Sequence, residues 1–170
     1  MVAVGSDREG TLAAQRAEAL GIPTFVVSVK DFADRSEWDA ALTKQVEAFD
    51  PTIVVLAGFM KLMGEHYLER LGARTVNSHP ALSPSFPGMH GARDALDYGV
   101  KVTGCTLFVI DKGVDTGPIV AQASVPVLPA DDEASLHERI KVAERALLVD
   151  TIGQMAREGF TVSGRRVTIP

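Results

Sequence analysis

A single cysteine in 170 residues rules out any disulfide within the chain, and with it a small secreted scaffold held by such bridges. That residue, Cys105, lies inside a β-rich apolar run, where a buried thiol is inert. The four histidines, His66, His79, His90 and His137, show no close ligand spacing and have no cysteine pair to join them, which argues against a metal site. No Gly-x-Ser-x-Gly turn is present to present a serine nucleophile. No apolar run is long enough to span a membrane, and no basic stretch followed by an apolar segment opens the chain. Basic residues are outnumbered 17 to 22 and form no block, so neither nucleic acid nor a membrane is an expected partner. These absences leave a cytoplasmic globular chain, 46% hydrophobic and 23% charged, with the length of one domain over 1–170.

What is present alternates regularly. Val2-Ala3-Val4 reads as a strand, Gly5 to Gly10 as a connecting loop, and about Thr11 to Leu20 as a helix stopped by Gly21-Ile22-Pro23. The loop resembles a phosphate cradle only in its glycines, because Asp7 and Glu9 would repel an anion and no Gly-Lys-Ser/Thr follows. Thr24 to Val27 is the next strand. Asp34 or Ser36 can cap a helix to about Phe49, with Trp38, Leu42 and Val46 on one face. The continuous apolar run Thr52 to Ala57 suits the central strand of a parallel sheet, and Glu65 to Leu71 a short helix. A strand ending in Asn77-Ser78-His79-Pro80 follows, then a proline-rich loop and a helix over Ala92 to Tyr98. Lys101 to Ile110 and Ile119 to Val127 form an antiparallel hairpin at the sheet edge. Asp132 or Ser135 starts a long helix that Gly159 ends, and a small hairpin closes the chain. This order predicts an α/β fold, a mostly parallel sheet with helices on both faces and an antiparallel edge hairpin.

The chemistry concentrates at the end of the Asn77 strand. Residues two apart on a strand share a face, and Pro80 keeps His79 extended, so Asn77 and His79 point the same way. An amide donor beside an imidazole can stabilise an oxyanion and move a proton. Asp115, in a loop between Gly113 and Gly117, is a third polar group whose carboxylate near His79 would favour the imidazolium. The glycines would let that backbone approach a ligand closely. Gly58 to Met63 follows a strand where open α/β sheets hold ligands, and its apolar residues suit a flat heteroaromatic ring.

Taken together, Asn77-Ser78-His79-Pro80, Pro84-x-Phe86-Pro87-Gly88-x-His90, Gly99 to Thr106, Gly113 to Pro118, Val55 to Met60 and Gly164-Arg165-Arg166-Val167 resemble the phosphoribosylglycinamide formyltransferases, a family of folate-dependent enzymes with a Rossmann-like formyltransferase fold. The resemblance implies transfer of a formyl group from 10-formyltetrahydrofolate to the amine of glycinamide ribonucleotide in purine biosynthesis. It implies no metal, small-molecule partners only, and a monomer or homodimer. Asn77, His79 and Asp115 match the catalytic residues. Arg35, Met60, Lys61, Leu62, Met63, Asp111, Lys112, Gly113 and Val114 match folate-binding positions, together with Asn77 and Asp115. Ser78, Pro80, Lys141 and Glu144 match the surroundings of the ribonucleotide. A cis peptide is expected at Ser83-Pro84.

Formyltetrahydrofolate hydrolysis is the alternative activity, against which Glu144 and the Pro87-Gly88-x-His90 loop argue; a folate-binding remnant without turnover is the other. Family members open with a strand, a phosphate-holding glycine loop and a helix, and here Val2-Ala3-Val4 matches their second strand. The expectation is therefore that this first unit is absent, as from a gene start placed too far downstream. A sheet strand would then lack a neighbour and the ribonucleotide would be held poorly.

Overall fold

The computed structural model describes residues 1–170, which fall into two compact units. One comprises Met1–Thr52 and Met63–Leu71, the other Ile53–Leu62 and Gly72–Pro170.

In the first unit, β1 (Val4–Ser6) and β2 (Thr24–Val26) pair in parallel through α1 (Leu12–Ala19). Thr11 caps the start of α1 by accepting the Ala14 N–H, and Gly21, at φ +69°, turns the chain out of its end. For α2 (Arg35–Glu47) the cap is Asp34, whose carboxylate accepts the N–H groups of Ser36 and Glu37. Trp38 and Leu42 are buried along its inner face, while Val46 is only half-buried. Trp38 Nε1 donates to the Val27 carbonyl at 3.0 Å, which satisfies the polar end of a fully buried ring. Buried Asp39 caps α3 (Glu65–Leu71): Oδ1 accepts from Gly64 N at 2.6 Å and Oδ2 from Tyr67 N at 3.0 Å. A Cβ at position 64 would lie 2.5–2.8 Å from that carboxylate, so only glycine fits.

The second unit holds a four-stranded sheet in the order β3 (Val54–Leu56), β4 (Thr75–His79), β5 (Val102–Val109), β6 (Ile119–Pro126). β3 and β4 run parallel; β5 is antiparallel to β4, and β6 to β5. The sheet is thus mixed, with parallel pairing in the first part of the chain and a reversal at β5. The register opposes His79 to Thr106 and Val76 to Val109. The loop after β4 and α4 (Gly91–Tyr98) therefore return the chain to the end where β4 leaves, instead of crossing the sheet. The apolar run Thr52 to Ala57 forms only three residues of strand, all half-buried, and not a fully covered central strand. Its ladder partner is β4 on one side alone, so it carries the burial of an edge.

Helix α5 (Glu133–Glu158) covers one face of β5 and β6. Asp132 and Ser135, alternatives in the sequence, act together as a reciprocal capping box, and Gly159 at φ +77° ends the helix. Beneath α5, Val76, Leu107 and Val109 pack with Met155, and Cys105 and Val125 pack with Leu136 and Ile140. Burial pushes the Cys105 thiol above its usual range, consistent with an inert side chain. β7 (Thr161–Ser163) and β8 (Arg166–Thr168) form the terminal hairpin. No helix is long and apolar enough to cross a membrane.

Candidate active site

Strand β4 delivers the polar pair. Hydrogen-bonded on both sides, its first residues Thr75 and Val76 are fully buried, so the strand end is fixed from within. Asn77 and His79 lie on the face opposite to Val76 and Ser78. Across β5 and β6 the same face continues from His79 to Thr106 and then Gln122.

His79 is 3% exposed and both ring nitrogens have neighbours. Nε2 lies 2.8 Å from the Phe86 carbonyl. A carbonyl oxygen only accepts, so Nε2 carries the hydrogen of that bond. Nδ1 faces Asp115 Oδ2 at 3.4 Å, a long contact to a carboxylate that is itself 13% exposed. The same Oδ2 accepts the Gly88 N–H at 2.7 Å. His79 and Asp115 are therefore joined twice, once directly and once through the loop that carries Phe86 and Gly88.

That loop is tied down by the row on the sheet. The Thr106 hydroxyl donates to the Ala81 carbonyl at 2.7 Å and accepts the Ser83 N–H at 2.9 Å. Gln122 Nε2 donates at 3.0 Å to both the Ser83 carbonyl and Thr106 Oγ1. The expected cis bond at Ser83-Pro84 is present, and Phe86 has φ +55°. The Phe86 ring meets Tyr98 of α4 edge-on at 5.9 Å.

Loop 111–118 presents Asp115, also at φ +55°. Asp111 Oδ1 accepts from Gly113 N at 3.0 Å and the Thr116 hydroxyl at 2.6 Å. Here the glycines serve the loop's own closure. A Cβ at Gly113 would fall 2.0 Å from Thr116 Oγ1, and one at Gly117 1.7 Å from the Val109 carbonyl oxygen. A groove of about 530 Å³ borders this loop, lined by Ser83, Pro84, Pro87, Val114, Asp115 and Arg165 among others.

The remaining candidates divide by place. Ser78, on the other face of β4, donates its hydroxyl to Glu144 Oε1 of α5 at 2.7 Å. Lys141, one turn before Glu144, is ion-paired with Glu138. Pro80 follows β4 directly, and its carbonyl oxygen would lie 2.9 Å from a Cβ at Gly91. Met60 and Leu62 are 72% and 59% exposed, apolar surface on a loop of the second unit; Lys61 lies over the Phe59 ring at 5.7 Å. Arg35 and Met63 belong to the first unit, where the Arg35 guanidinium stacks 4.2 Å from the Trp38 ring centroid. Asp111 to Val114 belong to the Asp115 loop.

Sequence reasoning missed the Phe86 carbonyl and Gly88 N–H, which are main-chain groups with no side-chain signature. Thr106 and Gln122 were also missed; the only signal was the hairpin register that sets them opposite one another.

The family described as formyl transferase matches residues 1–152. A phosphoribosylglycinamide formyltransferase of Mycobacterium tuberculosis is 53% identical over 169 residues, 99% of this chain and 78% of that protein. The trifunctional purine biosynthetic protein adenosine-3 of Drosophila melanogaster is 46% identical over 144 residues, 85% of this chain and 11% of that longer protein. The crystal structure of glycinamide ribonucleotide transformylase 1 from Symbiobacterium toebii superposes with a TM-score of 0.94 at 37% identity, covering 99% of this chain and 80% of that one.

Proposed function

The chain belongs to the formyl transferase family, and from that premise we propose that it moves a formyl group from 10-formyltetrahydrofolate to the amine of glycinamide ribonucleotide. The relative of 53% identity carries the name of that activity over nearly the whole of this chain. A step of purine biosynthesis agrees with the name of the Drosophila relative. A cytoplasmic location agrees with one buried, unpaired cysteine.

The amine nitrogen attacks the formyl carbon, a C–N bond forms, and the carbonyl oxygen becomes an oxyanion. The bond from that carbon to N10 of the folate then breaks; the amine loses one proton and N10 gains one. Asn77, on the same face as His79, supplies an amide N–H to the oxyanion. His79 has Nε2 committed to the Phe86 carbonyl, which leaves Nδ1 as the nitrogen that exchanges a proton. Asp115 steadies that proton from the carboxylate side, and the 3.4 Å separation can tighten when substrate closes the site. Within the second unit, the exposed Met60 and Leu62, with the loop from Asp111 to Val114, form the folate contacts. Ser78, Pro80, Lys141 and Glu144 surround the ribonucleotide, with Glu144 near its amine.

The observation that carries this reading is the His79–Asp115 contact beside Asn77, within a chain of this family. His79→Ala tests it. The group acts on charge that develops only in the transition state, so kcat should fall by about 10²–10³ while the folate dissociation constant, read by calorimetry, stays nearly the same. A variant that loses folate affinity and keeps its turnover would contradict the assignment.

A further inference from the structure

Arg165 stands in the turn between β7 and β8, within the Gly164-Arg165-Arg166-Val167 segment and after residues 1–152 of the formyl transferase match. Its guanidinium reaches back to the Asp115 loop: Nη1 donates to the Thr116 carbonyl at 2.9 Å and Nη2 to the Gly117 carbonyl at 3.2 Å. These are the carbonyls of the two residues that follow Asp115. The planar fork of an arginine spans two neighbouring carbonyls, which a lysine ammonium cannot do with the same geometry.

The loop requires such a hold. Asp115 is a non-glycine residue in left-handed backbone, a conformation that persists only where the surroundings impose it. Asp111 fixes the first half through Gly113 N and the Thr116 hydroxyl, and the Val109 N–H to Pro118 carbonyl bond at 2.9 Å closes the base. Arg165 supplies the clamp on the outer side, between those two points. Its release would let the Asp115 carboxylate drift from the Gly88 N–H at 2.7 Å and from His79 Nδ1 at 3.4 Å. We propose that Arg165 is a positioning residue for formyl transfer, holding residues 115–117 so that Asp115 meets both partners.

This rests on the roles given above to His79 and Asp115, so the test has one arm that needs no catalysis. Arg165→Ala and Arg165→Lys are compared with the unsubstituted chain by amide hydrogen exchange and by steady-state kinetics. In Arg165→Ala the Gly88 amide, whose acceptor is Asp115, should exchange about tenfold faster, while amides of β4 and α5 keep their protection. Arg165→Lys should fall between. In kinetics, kcat should drop on the order of 10-fold with KM little changed, and the same substitution should cost almost nothing further in an Asp115→Asn background. Unchanged Gly88 exchange in a folded Arg165→Ala chain would overturn the proposal, and so would an equal loss of kcat in both backgrounds. Absence of any formyl transfer would count against the function, while Gly88 exchange would still decide the role of Arg165. Should Arg165→Ala fail to fold, Arg165→Lys decides by the same two readings.

Discussion

Asp115 and Phe86 both hold left-handed backbone without being glycine, and both touch His79. Two strained residues converging on one imidazole are what a site over-determined by its surroundings looks like. Asn77 carries no such constraint; its place follows from strand alternation alone. Its substitution is therefore the cleaner probe of oxyanion stabilisation: Asn77→Ala should lower kcat by about 10²–10³ and leave the denaturation midpoint nearly unchanged, as read by kinetics and urea unfolding. The side-chain half of this site is legible in the sequence, since Asn77 and His79 are two apart and Asp115 sits among turn residues. The other half is not. Phe86 enters through its carbonyl and Gly88 through its N–H, and every residue type has those groups.

Capping chemistry makes helix ends readable: α2 starts after Asp34, and α5 starts at the Asp132–Ser135 box and ends at Gly159. The Asp131–Arg139 pair at the start of α5 shows how the same chemistry sets a pH response. Arg139 grips both Asp131 oxygens at 2.7 and 2.8 Å, and the Leu128 N–H adds a bond at 2.7 Å. The guanidinium, with the Leu128 amide and the Ser135 hydroxyl, holds this carboxyl well below the usual carboxylate range. A carboxylate depressed by folding contributes stability above its unfolded value, about pH 4, and loses that contribution as pH falls further. Asp131→Asn should thus lower the thermal midpoint at pH 7, with the gap to the unsubstituted chain closing progressively below about pH 4. The Asp115 loop makes a harder demand on its element. Gly117→Ala places a Cβ against the Val109 carbonyl and should destabilise the chain by about 1–3 kcal/mol, read from urea unfolding. The direction in which β5 meets β4 is the part of the elements that sequence does not carry. From Thr103 to Val109 β5 is buried at every residue, and such a run reads the same whether it pairs parallel or antiparallel. Only the return of α4 to the end where β4 leaves decides it.

Over the whole chain, the order of strands and helices is readable because hydrophobic runs and turn residues alternate from Val2 to Tyr98. Its division into two compact units is not, since no linker composition marks the crossings near residues 52, 63 and 71. The activity depends on an acceptor as well as a donor, and water is the competing acceptor. The deciding measurement uses folate carrying an isotopically labelled formyl carbon, with and without glycinamide ribonucleotide, and follows the label by NMR. The account predicts one N-formyl group on the ribonucleotide for each formyl-folate consumed, and no consumption without the acceptor. Label released as free formate, at a rate indifferent to the ribonucleotide, would contradict it.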